Sequence, residues 1–512
     1  MAADVGGPWQ ADAVTAPTPV LTSRRAWIGF GVLLVGTFMS LLDTTIVNVA
    51  LETIRGSLDT DEATIAWIIS GYALAFGLVL IPAGRLGDRF GHKWVFFTGL
   101  AVFTAASLWC GLASGPLELV IARVVQGIGG GLFFPAVTAF AQLLFAPRDR
   151  GKAFAVMGAV IGVSSALGPI VGGLLIEALG DETGWRWIFA VNVPIGVLAL
   201  VAVVLFVPQV GGGEKSYVDG VGLVLLAGGI TAILVPLIQG QDEGWPVWTF
   251  VSFAGGVILL VAFWFWESRL AARGVTPLVH PHLFSHRQFT GGTVLAMIYF
   301  GSFTSIFFCI ALLWQAGLQH SALETGLVTI PFALANVVGA ALSDKLANSL
   351  GRGVLAIGTA LVTIGLGATW LVLLLTPAPD LNGFELIAPL ALAGFGNGLF
   401  IAPNARFIVA TVDRSEAGSA SGVIGTVQRI GSAIGIAVVS SVLFAIADLD
   451  GIGDDIGAAI AGGEHANPDA AASAVLAEHF LPAATSAIAV STALAAISFL
   501  LVWTLPKRVS LH

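Results

Sequence analysis

Asp43 is the only acidic residue that falls well inside an apolar run of this 512-residue sequence. A carboxylate at the middle of a membrane-crossing helix costs about 2.5–3.5 kcal/mol on insertion scales, so such residues face a cavity or a partner and often carry protons. Burial and a neighbouring cation act in opposite directions on a carboxyl's proton affinity, which can poise it to titrate. A static ion pair, or local bonding with Ser40 and Thr44, is the other reading. Three cations share the apolar runs: Arg123, Arg406 and Arg429. Arg123 is the expected partner of Asp43. Asp43 precedes Leu51 by eight residues, about 12 Å of helix, and Arg123 follows Glu118 by five, about 8 Å. Their runs point in opposite directions, so the two side chains sit at comparable depth. Arg123, Gln126, Gly127, Gly130 and Phe134 fall on one helical face, polar, then small, then aromatic, as a cavity wall would be. A purely structural arginine is the alternative.

The elements that must hold these residues follow from composition. Apolar residues make up 56% and charged residues 10% of the chain, and the mean hydropathy is +0.92. Such a chain cannot cover a water-facing surface. Fourteen apolar runs are each long enough to cross a bilayer as a helix, the first at 27–51 and the last at 482–505. They are continuous, unlike the alternating ten-residue strands of a barrel. The class is therefore an all-α integral membrane protein. A net charge of −9 gives no sign of nucleic-acid binding, and Cys110 and Cys309 read as small buried residues. Basic residues orient the spans. With the N-terminus inside, Arg24, Arg25, Arg85, Arg89, Lys93, Arg148, Arg150, Lys152, Lys215, Arg269, Arg273, Arg287, Lys345, Arg352, Arg414, Lys507 and Arg508 fall on the cytoplasmic side, and only Arg55 and Arg186 outside. The expectation is a multi-pass protein of the plasma (cytoplasmic) membrane with both termini cytoplasmic.

Short loops leave no room for a soluble catalytic domain. The expected organisation is a disordered cytoplasmic tail (1–26), a six-helix bundle (27–208), two inserted helices with linkers (209–288), a second six-helix bundle (289–505) and a cytoplasmic tail (506–512). The stretch 447–481 carries seven acids (Asp448, Asp450, Asp454, Asp455, Glu464, Asp469, Glu478) and no Lys or Arg. It reads as a solvated, flexible outer loop, with a substrate-attracting or partner-binding role as the alternative. A faint repeat supports two halves: Gly84 to Lys93 joins the second and third spans, and Ser343-Asp344-Lys345-Leu346 with Gly351-Arg352 joins the corresponding spans later. Parallel six-helix halves are a transporter architecture, with the substrate site between them near the midplane.

Four motifs in order carry a resemblance to a known family. They are Gly84 to Lys93, Arg123-Val-Val-Gln126-Gly127, Gly162 through Gly168-Pro169-Ile-Val-Gly172-Gly173, and Leu42-Asp43-Thr44-Thr45-Ile46-Val47-Asn48-Val49-Ala50-Leu51. The chain resembles the major facilitator superfamily, specifically its fourteen-helix drug:proton antiporter branch of multidrug efflux transporters, over nearly all of 27–505. It departs from that branch at Glu52, where proline is usual. The resemblance implies proton coupling through Asp43 and Arg123. It also implies a cytoplasmic latch at Gly84, Asp88, Arg89, Gly91 and Lys93, for which a mere positive-inside anchor is the alternative. The third motif (Gly162, Gly168, Pro169, Gly172, Gly173) is the antiporter signature. Its small residues let helices approach and Pro169 can bend the rod, so it serves as a rocking seam, as close packing, or as both.

Further candidates for the substrate cavity are Gln126, Phe134, Phe303 and Phe307 (with Phe300 on the same face), Asn397, Phe400, Asn404, Gln428 and Arg429; each could instead be packed or lipid-facing. No catalytic residue and no metal ligand set is expected: the eight histidines are scattered, and His280, His282 and His286 read as residues of a solvated cytoplasmic loop. No phosphate-binding loop is present, so the proton gradient rather than ATP or a cofactor is the expected energy source. The chain reads as a monomer in the lipid bilayer that exports amphipathic small molecules (drugs, dyes or antibiotics) in exchange for protons by alternating access. Monovalent cationic, neutral or weakly acidic substrates fit better than dications. Export of a lipid or an endogenous metabolite, and uptake of a nutrient by symport, are the alternatives. A membrane enzyme would need a polar cluster at one membrane face, and none is evident.

Overall fold

The computed structural model describes residues 23–506 other than 61, 181, 210–218, 241–242, 276, 411, 414–415, 448 and 463–467. Most of the tail expected at 1–26 and all but one residue of that at 506–512 lie outside the described residues. Among those described there is no strand, and fourteen helical stretches are long and apolar enough to cross a membrane. This is what the sequence demands: inside a bilayer the backbone has no water to bond, so long apolar runs must close their own hydrogen bonds as helices. Polar side chains in the runs bond backward to their own helix, as in Thr104 to the Leu100 carbonyl (2.7 Å) and Thr359 to that of Leu355 (2.8 Å).

The first half comprises α1 (Ser23–Val49), α2 (Leu51–Leu58), α3 (Glu62–Phe90), α4 (His92–Leu112), α5 (Pro116–Leu144), α6 (Pro147–Leu179), and the pair α7 (Gly184–Ala190) and α8 (Asn192–Phe206), which together make the sixth span. Two inserted spans follow, α9 (Gly220–Gln239) and α10 (Val247–Ala272). The second half is α11 (Arg287–Leu312), α12 (Ala322–Leu350), α13 (Gly353–Leu375), α14 (Ile387–Val409), α15 (Ala417–Ala447), the short α16 (Leu449–Gly462) and α17 (Pro468–Leu501). The face at which α1 begins and α17 ends is called the terminal face below.

The faint sequence repeat is a repeat of packing. In the first half, Gly127 and Gly131 of α5 press against the carbonyls of Tyr72 and Phe76 on α3. In the second, Gly394 and Gly398 of α14 press against those of Phe332 and Asn336 on α12. A Cβ at any of the four would overlap backbone, so the fourth span of each half lies directly on the second. The turns between second and third spans also match, each bending at a positive-φ glycine, Gly91 (φ +89°) and Gly351 (φ +56°). On the outer side of the inserted pair, Phe250, Val251, Ile258 and Phe265 are exposed, as a lipid-facing helix requires.

Three expectations are corrected. α1 starts at Ser23 rather than 27, carrying Arg24 and Arg25 in its first turn. Most of 84–93 is helix, because α3 runs to Phe90 and the turn is Gly91 alone. The stretch 447–481 is largely helical: α16 buries Ile452 in the second half's core, and His479 of α17 ties back, with Nδ1 2.8 Å from the Ala447 carbonyl and Nε2 3.0 Å from Asp455. Ile452 and the half-buried Ile456, one turn apart, give α16 its buried face.

Candidate functional site

The α5 glycines bring α3 and α5 into contact and so set where Arg123 points. Its Nη1 donates to Asp43 Oδ2 (2.6 Å) and to Gln126 Oε1 (2.6 Å), and its Nε to the Ile68 carbonyl (3.1 Å). Gln126 Nε2 donates to Asp43 Oδ1 (2.8 Å) and to Ser107 Oγ (2.8 Å). Asn192, the first residue of α8, donates from Nδ2 to the same Asp43 oxygen (3.0 Å). Asp43, Arg123, Gln126 and Asn192 are all at most 1% exposed. The guanidinium carbon of Arg123 lies 4.2 Å from the Tyr72 ring centroid and 5.6 Å from that of Phe189, and Tyr72 Oη is 3.0 Å from Ser40 Oγ. The carboxylate thus holds charge-assisted bonds from three side chains on two helices, in a setting that excludes water. Gln126, expected on a cavity wall, is sealed inside this cluster. Asn192 and Ser107 were not singled out from the sequence.

A partly open cavity lies between the two halves. Thr37 (α1), Phe134, Val137 and Thr138 (α5), and Met157 and Ile161 (α6) line it from one side; Phe300 (α11), Ile401 and Ala405 (α14), and Ser421, Ile424, Gly425 and Gln428 (α15) line it from the other. No charged side chain is in this wall. Of the expected wall residues, Phe134 and Gln428 line this cavity, and Phe300 with them.

Five other expected wall residues are turned into the second half's own packing. Phe303 stacks on Tyr299 and sits near Phe332, and Phe307 meets Phe332 edge-on at 5.1 Å. Phe400 stacks on Tyr299 at 3.8 Å and is fully buried. Asn397 accepts from Tyr299 Oη (2.6 Å) and donates to Asn336 Oδ1 (2.8 Å), and Asn404 donates to the Gly292 carbonyl (3.3 Å). The reason is rotational: a buried membrane helix is apolar on every side, so shared spacing does not tell which face looks at the cavity. Arg429 is not among the residues of this wall; its guanidinium carbon lies 4.3 Å from the ring centroid of Phe76, which neighbours Phe134 of the wall. Arg406 pairs with Asp344 (3.0 Å) near the terminal face.

The third motif forms a seam. Gly168 and Gly172 of α6 face Thr45 and Ile46 of α1 in the same half. Gly162 faces Asn336, Gly173 faces Leu323, and Pro169 meets Gly326, all on α12 of the other half. Asn336 Nδ2 also donates across the seam to the Gly158 carbonyl (3.3 Å).

At the terminal face the first motif meets the linker 273–286. Asp88 lies 3.9 Å from Arg85 and 3.3 Å from His92 Nε2. Arg89 packs over Phe90, and Lys93 donates to the Val204 carbonyl (3.1 Å). Gly87 leaves room for the His92 ring, and Gly84 lies in the continuous helix α3. Arg85 donates to the Pro277 carbonyl, Ser419 Oγ of α15 to that of Leu278 (3.0 Å), and the Val279 amide to Glu267 Oε2 of α10 (2.8 Å). His280 and His282 approach Glu416 at 3.2 and 3.3 Å. His280 is therefore not a solvated loop residue: its side chain is 19% exposed. Burial, aided by Arg85 and His282, pushes its pKa down to about 4, and burial raises that of Glu416. Among the described residues no group of three or more His, Cys, Asp or Glu could hold a metal ion.

The chain matches the Major Facilitator Superfamily over residues 33–222 and 217–436. It is similar to a protein called "Probable actinorhodin transporter" from Streptomyces coelicolor, 37% identical over 86% of this chain and 76% of that one. It is also similar to the "Puromycin resistance protein pur8" of Streptomyces alboniger, 33% identical over 85% and 84%. Among solved structures, the proton:xylose symporter XylE bound to 6-bromo-6-deoxy-D-glucose shares the fold at a TM-score of 0.58 and 15% identity, over 90% of this chain and 95% of that one. The chain belongs to the major facilitator superfamily, in the branch that holds these antibiotic transport and resistance proteins: it is a multi-pass membrane transporter and not an enzyme.

Proposed function

We propose that this protein exports amphipathic small molecules in exchange for protons by alternating access, from a cell membrane in which both chain termini face the cytoplasm. The observation that carries the reading is the Asp43 carboxylate, wholly buried and held by Arg123, Gln126 and Asn192 in the half whose α1 and α5 also line the apolar cavity. A carboxylate in that position is the residue type that takes up and releases a proton inside a membrane. A proton on Asp43 removes the anion that Arg123 engages and leaves the guanidinium with Gln126 and the Ile68 carbonyl. The contact between α1 and α5 then weakens, and the equilibrium between two packings of the halves shifts by that difference. The seam of small residues between α6 and α12 is the surface along which such a shift can run. The cavity, with aromatic and aliphatic walls and a few hydroxyl and amide groups, suits an apolar body with limited polar decoration. The names of the relatives add support for antibiotic-like cargo.

The test is efflux from proteoliposomes with an imposed pH gradient. Wild-type protein should drive a panel of amphiphilic dyes against their gradients, and Asp43→Asn should not, while still exchanging dye down a gradient. Gradient-driven export that persists at the wild-type rate in Asp43→Asn would leave Asp43 as a static ion-pair residue.

A further inference from the structure

Arg429 has a different standing from the other interior charges. It lies twelve residues into α15, which begins at Ala417, so about 18 Å of helix separates it from the terminal face. Its side chain reaches from the second half to the Phe76 ring of the first. Among the described residues, neither a carboxylate nor a hydrogen-bond acceptor engages its guanidinium, and the residue keeps some accessible surface. The carboxylate of Asp43 is committed to Arg123, Gln126 and Asn192. One positive charge is therefore left unbalanced between the halves. A ring face compensates a desolvated cation only partly, whereas a planar guanidinium binds a carboxylate through two parallel N–H bonds.

The position of Arg429 gives that charge a purpose. Gln428 beside it and Gly425 one turn earlier line the cavity, and Phe76 lies 5.6 Å from Phe134 of the opposite wall. An apolar pocket with an unpaired cation next in sequence to one of its lining residues complements a ligand with an apolar body and one negative charge. We propose that Arg429 recognises the charge of the transported molecule, and that the cavity takes monoanionic amphiphiles, carrying a carboxylate or an ionised phenol, in preference to neutral or cationic ones. This rests on the reading of the cavity as the substrate site.

The experiment is equilibrium binding to purified full-length protein in detergent, with dansyl-aminoundecanoic acid and its methyl ester as a pair that shares the apolar body and differs in the charged group. Wild-type protein should bind the acid at least ten-fold more tightly than the ester. Arg429→Gln should weaken the acid ten-fold or more and leave the ester within two-fold. Arg429→Lys, which keeps the charge, should retain part of the preference and covers the case that Arg429→Gln does not fold. Phe134→Ala should weaken both probes alike. Equal affinity of wild type for acid and ester, absence of acid binding, or equal losses for both probes in Arg429→Gln would each overturn the proposal, the last by showing a packing role. No gradient is present, so a failure of proton coupling in vesicles and a failure of charge recognition here are separate results.

Discussion

Asn192 donates to the same Asp43 oxygen that accepts from Gln126, at 3.0 and 2.8 Å. This joins the start of α8 to the last third of α1 and makes the sixth span part of the charge cluster. A hydrogen bond to a charged group contributes about 1.5–3 kcal/mol. A double-mutant cycle of Asp43→Ala and Asn192→Ala, read from thermal unfolding in detergent, should return a coupling energy in that range. Additivity within about 0.5 kcal/mol would show the two residues to be neighbours without interaction.

Arg123→Ala should be worse for stability than Asp43→Asn. Removing the arginine leaves a buried carboxylate with amide donors only, and breaking a buried pair at one partner costs about 3–5 kcal/mol. Asp43→Asn leaves a neutral side chain that still accepts from Arg123. Melting temperatures of the two variants should therefore fall in that order, and both should lose gradient-driven export. Equal melting temperatures would mean that water reaches the site.

Much of this cluster was legible in the sequence. A lone acid and a cation at matching depth on oppositely directed spans already point to each other. Asn192 was not legible, because its approach depends on the break between α7 and α8. The cavity wall was half legible: Phe134 and Gln428 line it, but Phe303, Phe307 and Phe400 pack within the second half, since apolar periodicity cannot fix the rotation of a helix that is apolar all round. The helix α16 was readable from the spacing of Ile452, Ile456 and Ile460, but its acids dominated the reading.

The linker at the terminal face should give stability a dependence on pH with two opposing parts. His280 titrates near 4 instead of the usual 6.5, so between those values the unfolded chain binds its proton and the folded one does not. Stability from this source is present above about pH 6.5 and is lost as pH falls towards 4. Glu416 has the opposite sign: its raised pKa stabilises the fold at low pH and that stability is lost as pH rises through the raised value. Arg85, Asp88, His282 and Asp413 are the charged groups that face the two. His280→Gln should flatten the loss of melting temperature on acidification, and Glu416→Gln should steepen it. If both variants follow the wild-type curve between pH 7.5 and 5, the linker does not carry this dependence.

Sidedness can be tested with single cysteines, because the native Cys110 and Cys309 are both buried. Asp454→Cys on α16 and Ser349→Cys at the end of α12 are at exposed positions on opposite faces of the bundle. In intact cells an impermeant maleimide should label the first and reach the second only after permeabilisation. The reverse pattern would invert the orientation that the basic residues imply.

Charge recognition at Arg429 has a consequence for energetics. If one proton enters for each monoanion that leaves, two positive charges in effect move inward per cycle. An inside-negative potential then contributes about 2.3 kcal/mol per charge per 100 mV, or about 4.6 kcal/mol for the pair of movements. A neutral ester exchanged for one proton gains half of that, and a monocation exchanged for one proton gains nothing. Proteoliposomes with a potassium diffusion potential and no pH gradient provide the measurement. Export of the dansyl acid should respond most steeply to voltage, the ester about half as steeply on a free-energy scale, and a monocationic dye should not respond. The same slope for acid and ester would show that the carboxylate crosses in its protonated form, in which case Arg429 would have to bind it without carrying it across as an anion.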